Sequence, residues 1–202
     1  MKTVYGIVTI LDERENAQVY QALKDLVDAC GLPQDMLSPV PHFTWHVAAG
    51  YQQPEVDQLL QAVTIKAKTF RVAAFGLGLF TGATPVLHVP IMKKIRMIRF
   101  HSNLYKKISP LAQAPSKYYT PDNWIPHITI AQGIELPHYL ACALERLAYQ
   151  EIRIDIKVNH LALGYLHVGE SWGISNTYDF SRSVGSSAEE MSLSDLTPGG
   201  RD

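Results

Sequence analysis

Acidic side chains are missing from the middle third of this 202-residue chain. Residues 58–121 contain ten Lys and Arg and no Asp or Glu; residues 1–57 carry three basic and eight acidic side chains, and residues 122–202 carry five and eleven. The formal charge of −1 is thus a balance between segregated blocks. Near-neutrality argues against a protein that wraps long nucleic acid by bulk electrostatics. The acid-free block fits either a locally held anion or an ordinary basic surface neutralised by its neighbours in the fold. Long apolar runs are lacking too: none approaches the roughly 20 residues that span a bilayer, so no membrane contact is expected. The apolar start, Val4–Ile10, runs straight into Asp12-Glu13-Arg14-Glu15 without a small-residue cleavage site, and reads as a first strand, not a signal peptide. Cysteine is scarce. Cys30 and Cys142 lie far apart in helical patterns, which points to buried thiols in a reducing, cytoplasmic setting more than to a disulfide or a metal pair. No P-loop, dinucleotide fingerprint or zinc cluster occurs, and neither cofactor nor metal is expected.

What is present suffices for one folded unit: 47% of the residues are hydrophobic. Asp12 and Glu15 form a capping-box pattern that opens a helix with Val19, Leu23, Leu26, Val27 and Cys30 on one face, stopped by Gly31. A second helix is expected from Pro54 to Val63. Phe70–Phe80 and Pro85–Ile91 read as strands joined by the turn at 81–84. A basic helix follows, its buried stripe read as Ile95, Ile98, Leu104, Tyr105 and Ile108. Its Lys93, Lys94, Arg96, Arg99, Lys106 and Lys107 form either a solvated outer face or an RNA-tracking patch. Another helix begins at Pro137, and Ile152–Leu166 with Gly173–Phe180 complete the strands. Residues 1–183 are expected to form one domain. The tail from 184 to 202, rich in Ser, Gly and acid, is expected to be disordered.

The order of elements repeats as two similar α+β halves, and each half holds one strand of the same unusual type. Pro41-His42-Phe43-Thr44-Trp45 and Pro126-His127-Ile128-Thr129-Ile130 both read Pro-His-apolar-Thr-apolar. Strand side chains alternate, so His42 and Thr44 share one face while Phe43 and Trp45 share the other, and likewise for His127 and Thr129. Each strand packs its apolar face into a core and turns an imidazole and a hydroxyl toward a groove. Two imidazoles flanking one phosphate suit acid–base phosphodiester chemistry, and the hydroxyls can bond its non-bridging oxygens.

The paired His-x-Thr motifs resemble those of the 2H phosphoesterase superfamily, and its 2′-5′ RNA ligase and cyclic phosphodiesterase branch in particular. Phe70, Gly76-Leu77-Gly78-Leu79-Phe80, Pro85-Val86-Leu87 and Trp124-Ile125-Pro126 support the likeness, which covers about residues 3–180. The resemblance implies a bilobal α+β fold of two pseudo-symmetric antiparallel lobes with outer helices and a central cleft. It also implies hydrolysis of 2′,3′-cyclic nucleotide or RNA-terminal phosphates, with possible reversal to 2′-5′ ligation. His42 and His127 would be the catalytic pair, and Thr44 and Thr129 the phosphate ligands. Two positions depart from the pattern. His46 follows the first motif where many relatives carry small or aliphatic residues, and Gln132 replaces an Arg after the second.

Other residues have two readings each. Tyr118, Tyr119 and Trp124 can stack on a base at the cleft mouth or anchor their loop to the core; Tyr119 and Trp124 are taken as the candidate substrate contacts. By strict alternation His46 shares the face of His42, as a groove residue or behind it. A shared metal is discounted, since four residues of strand separate the two by roughly 13 Å. His88 is a cleft residue or a structural histidine. His101, His138, His160 and His167 fit no motif and are assigned to the surface or core edge. A monomer is expected. The competing function is a non-catalytic RNA or nucleotide binder that retains the cleft.

Overall fold

Strand β1 (Thr3–Ile10) is the β-branched run near the start of the chain, and it lies inside a seven-stranded antiparallel sheet. The computed structural model describes residues 3–38, 40–167 and 172–181. Helix α1 (Glu13–Cys30) opens on the capping box: Glu15 N donates to Asp12 Oδ1 at 2.9 Å, and Asp12 N donates to Glu15 Oε2 at 3.0 Å. The chain continues as β2 (His42–Ala48), β3 (Gly50–Tyr51), α2 (Glu55–Lys66), β4 (Phe70–Phe75), β5 (Gly78–Phe80) and β6 (Val86–Pro90). Then come α3 (Ile95–Ile108), β7 (Ala112–Gln113), β8 (His127–Ala131), α4 (Pro137–Leu147), β9 (Arg153–Val158), β10 (His160–His167) and β11 (Trp172–Asp179).

The expected α+β class holds. The large sheet runs β11-β10-β1-β2-β8-β6-β5, with β3–β7 and β4–β9 as separate two-stranded pairs. The two histidine strands, β2 and β8, are neighbours, joined by the single register pair Phe43–Ile128. A four-strand group thus ends on the first motif and a three-strand group begins on the second. Phe43, Trp45, Ile128 and Ile130 are buried in the core, as the period-two reading requires.

Two runs read as single strands are broken. The run from 70 to 80 turns at Gly76, whose N–H donates to the Ile152 carbonyl at 3.0 Å. The run from 152 to 166 breaks at Asn159, whose carbonyl accepts from Phe180 N at 2.7 Å. In both cases the pieces join different sheets: β4 pairs with β9, while β5 pairs with β6 and β10 with β1 and β11.

Three expectations need correction. Cys30 and Cys142 form a disulfide, not two thiols. α1 and α4 pack side by side and bring the Cα atoms to 5.7 Å, within bridging range. The cytoplasmic expectation loses the support it drew from reduced cysteines. No helix among the described residues is long and apolar enough to cross a membrane. The buried stripe of α3 is Met97, His101, Leu104 and Ile108, whereas Ile95 and Ile98 are exposed. That stripe was hidden in the sequence because its second member is a histidine. His101 is therefore a core residue, away from the surface and core edge to which it was assigned. The tail from 184 to 202 lies outside the described residues.

Candidate active site

The alternation of β2 and β8 places His42, Thr44, His127 and Thr129 on the walls of one cleft of about 1150 Å³. All four are partly buried, with their apolar neighbours beneath them. The two imidazoles are held alike. His42 Nδ1 lies 2.7 Å from the Val40 carbonyl, and His127 Nδ1 lies 2.7 Å from the Ile125 carbonyl, each two residues back along the chain, just ahead of the strand. A carbonyl only accepts, so Nδ1 carries the proton in each ring and the Nε2 lone pair is left for chemistry.

Each imidazole is also braced by an aromatic ring. Trp172 of β11 stacks on His42 at 4.9 Å and 4° between planes. A Cβ at Gly164, the residue beneath Trp172, would lie 2.5 Å from the indole, so glycine is what lets the ring settle there. In the other half, Phe80 meets His127 edge-on at 4.9 Å and stacks on His88 at 4.0 Å. His88 lies against His127 at 5.1 Å and over Gly78, where a Cβ would clash with its ring. His88 is 4% exposed and sits behind the catalytic candidate. Neither Trp172 nor Phe80 is a site candidate in the sequence: Phe80 enters there only within the run 76–80 that supports the family likeness, and both reach the histidines through sheet pairing.

Burial lowers the pKa of both site histidines from the ordinary imidazole value. For His42 the Val40 carbonyl opposes this and the charge of His127 adds to it; for His127 the Ile125 carbonyl opposes it. The charge of His127 thus bears on His42 across the cleft.

Alternation fails just past each threonine. Ile7 pairs with His46 but Val8 pairs with Thr44, so Trp45 is the extra residue of a β-bulge. In β8 the same slip makes Ile130 extra: Leu87 pairs with Ala131 and His88 with Thr129. His46 consequently leaves the cleft face and is fully buried, with Nδ1 2.7 Å from the Tyr51 hydroxyl. Burial takes its pKa down to about 4. The reading that put His46 on the face of His42 is thus corrected. Val47 and Gln132 line the cleft at the equivalent positions beyond the two bulges.

The remaining candidates separate. Tyr119 lines the cleft together with Thr44; burial raises its phenol pKa, and the Thr44 side chain opposes the rise. Tyr118 lines it with an exposed ring. Trp124 does not reach the cleft mouth: it is 2% exposed, stacked beneath β2 on His101 at 3.8 Å, and its indole N–H donates to the Thr44 carbonyl at 2.9 Å. It backs the motif where base stacking had been expected. Among the described residues no Lys or Arg lines the cleft, and Asp35 is its one carboxylate. Of the basic side chains around α3, Lys93 donates to the Trp124 carbonyl and Arg96 to the Lys68 carbonyl. No group of three or more His, Cys, Asp or Glu among the described residues is arranged to hold a metal.

An antiparallel α+β sheet with two matched His-x-Thr strands on one cleft defines the class of paired-histidine phosphoesterase folds. The family model described as the 2′-5′ RNA ligase superfamily matches residues 16–170, and the chain belongs to that superfamily. Among solved structures, E. coli LigT complexed with 3′-AMP is similar at 12% identity and a TM-score of 0.56, covering 88% of this chain and 96% of that one. LigT complexed with phosphate gives 13% identity and a TM-score of 0.54, covering 87% and 96%. Kluyveromyces marxianus Usb1 with uridine monophosphate gives 13% and 0.50, covering 89% and 99%. No curated protein sequence matches.

Proposed function

We propose that the chain is a phosphodiesterase that opens 2′,3′-cyclic nucleotide or RNA-terminal phosphates by paired-histidine acid–base catalysis. The observation that carries this reading is the matched hold on His42 and His127. Each Nδ1 proton is engaged by the backbone just ahead of its own strand, so each ring offers Nε2 to the same cleft. The structurally similar LigT and Usb1 were solved with phosphate, 3′-AMP or uridine monophosphate, which supports a phosphate-bearing ligand for this chain.

In hydrolysis, the neutral imidazole takes a proton from water as the water oxygen bonds to phosphorus. The P–O3′ bond breaks, and the protonated imidazole gives its proton to the leaving 3′-oxygen. The product is a 2′-phosphate with a free 3′-hydroxyl, and the proton has moved from one ring to the other. Thr44 and Thr129 donate to the non-bridging oxygens, where charge grows in the transition state. With no Lys or Arg among the described cleft residues, the imidazolium is the cation that meets the phosphate. With a 5′-hydroxyl in place of water, the same opening forms a P–O5′ bond as P–O3′ breaks; the base takes the 5′-hydroxyl proton, the acid protonates O3′, and a 2′-5′ linkage results, the ligation that the superfamily's name records.

Incubation with 2′,3′-cyclic AMP and separation of the products tests the proposal. The expected product is 2′-AMP, formed undiminished in the presence of EDTA. Tight, salt-sensitive binding with no product would instead identify a nucleotide-binding protein that keeps the cleft. The pH profile supplies a second check. Catalysis needs one proton on the pair, and both pKa values lie below the ordinary imidazole value of about 6.5. The profile of kcat/KM, which reports the free enzyme, should peak below pH 6.5. That of kcat should peak at higher pH, because bound phosphate favours the imidazolium. Coincident optima above pH 7 would contradict this assignment.

A further inference from the structure

We propose that His101 and Trp124 form a stacked clamp on the backbone of the first motif, and that as positioning residues they aim the Thr44 hydroxyl at the phosphate. The inference rests on the catalytic reading above and adds two residues to it. The carbonyls on either side of the β2 bulge are both held by side chains from outside the sheet. Trp124 Nε1–H donates to the Thr44 carbonyl at 2.9 Å, and His101 Nε2–H donates to the Trp45 carbonyl at 3.1 Å. The two rings lie 3.8 Å apart and 12° from parallel, and Trp45 stacks on Trp124 at 5.2 Å, so the donors move as one body.

A bulge leaves its extra residue out of the regular ladder, and its peptide planes are free to rotate unless something else bonds them. Here rotation would swing Thr44 away from the cleft, because the side chain is fixed to the peptide whose carbonyl Trp124 holds. His101 is 1% exposed and Trp124 2%, so neither competes with solvent for these bonds. Burial takes the His101 pKa down to about 4, which keeps the ring neutral and its Nε2 proton on the carbonyl through the physiological range.

The test is a double-mutant cycle between the clamp and Thr44. Trp124→Phe keeps a stacking ring and removes the indole donor; His101→Phe removes the other donor, and His101→Gln restores an N–H. With 2′,3′-cyclic AMP, Trp124→Phe and His101→Phe should each lower kcat by about 10- to 100-fold, the cost of misplacing a transition-state contact by about 1 Å. KM should change less, and His101→Gln should recover most of the loss. In a Thr44→Val background the same substitutions should cost less than about 3-fold, because the contact they aim is already gone. Equal losses in both backgrounds would mean a general structural role and would overturn the clamp. A crystal structure of Trp124→Phe gives a readout independent of turnover: the Thr44 carbonyl and hydroxyl should be displaced from the wild-type positions. An unmoved Thr44 overturns the inference even if the protein is a phosphodiesterase. A moved Thr44 in a protein without turnover upholds the clamp and removes the catalytic reading alone.

Discussion

Replacing His42 or His127 by Ala lowers turnover of 2′,3′-cyclic AMP by about 10²- to 10⁴-fold, the range that a positioned proton donor or acceptor contributes. Each ring is partly buried and lies above the core against aromatic neighbours, Trp172 for His42 and Phe80 with His88 for His127, so its removal leaves Phe43 and Ile128 untouched. The melting temperature of both variants should stay close to that of the wild type, which separates lost chemistry from lost fold. The residual activity also tells the roles apart. In the hydrolytic direction, the variant lacking the base loses the acid limb of the pH profile; the variant lacking the acid loses the basic limb. Full turnover in both single variants would end the acid–base assignment. Because the two rings form one device, the double variant should be little worse than the worse single one.

The second large effect concerns stability. His46 and His101 are fully buried and neutral, each with a pKa of about 4 in the fold and about 6.5 in the unfolded chain. A histidine with a depressed folded pKa is bound by more protons when unfolded. Its contribution is fully present above pH 6.5 and is lost as pH falls through the interval from 6.5 to 4. At pH 5 each should cost about 2 kcal/mol relative to pH 7, or about 4 kcal/mol together, a large share of an ordinary domain's stability. The groups around them do not reverse the sign: His46 faces the phenols of Tyr51 and Tyr105 and the His101 charge, and His101 feels the Lys93 charge, which lowers it further. Urea titrations at pH 7 and pH 5 measure the difference. His46→Phe should shrink the gap between the two pH values by about 2 kcal/mol, whatever it does to stability at either one. Equal stability of the wild type at both values would show that these rings are not neutral in the fold.

Under the proposed mechanism, activity and folding pull on pH in opposite directions. There the cleft histidines carry a proton to meet phosphate, while the buried His46 and His101 must stay without one. The β-bulge at Trp45 keeps the two sets apart, since it turns His46 into the core while His42, ahead of the bulge, stays on the cleft face.

The sequence by itself determined the elements whose pattern is local. Two Pro-His-apolar-Thr-apolar runs declare which atoms face inward and outward, because side-chain direction along a strand follows from period two alone. The capping box at Asp12 and the stop at Gly31 bound α1 in the same local way. Tertiary structure decided everything that depends on what lies opposite. The bulges that bury His46 and expose Gln132 exist only relative to β1 and β6, so no run of letters in β2 or β8 announces them. Cys30 meets Cys142, and Trp172 meets His42, across 112 and 130 residues of chain. His101 looked like a surface histidine, because a polar residue in an amphipathic helix is counted outward until its hydrogen-bond partner is known. The partner, the Trp45 carbonyl, is supplied by a strand 56 residues away. Even the acid-free block from 58 to 121 changed meaning in three dimensions. Its cations stay out of the cleft lining, so under the proposed mechanism the positive charge that meets a phosphate comes from the two histidines.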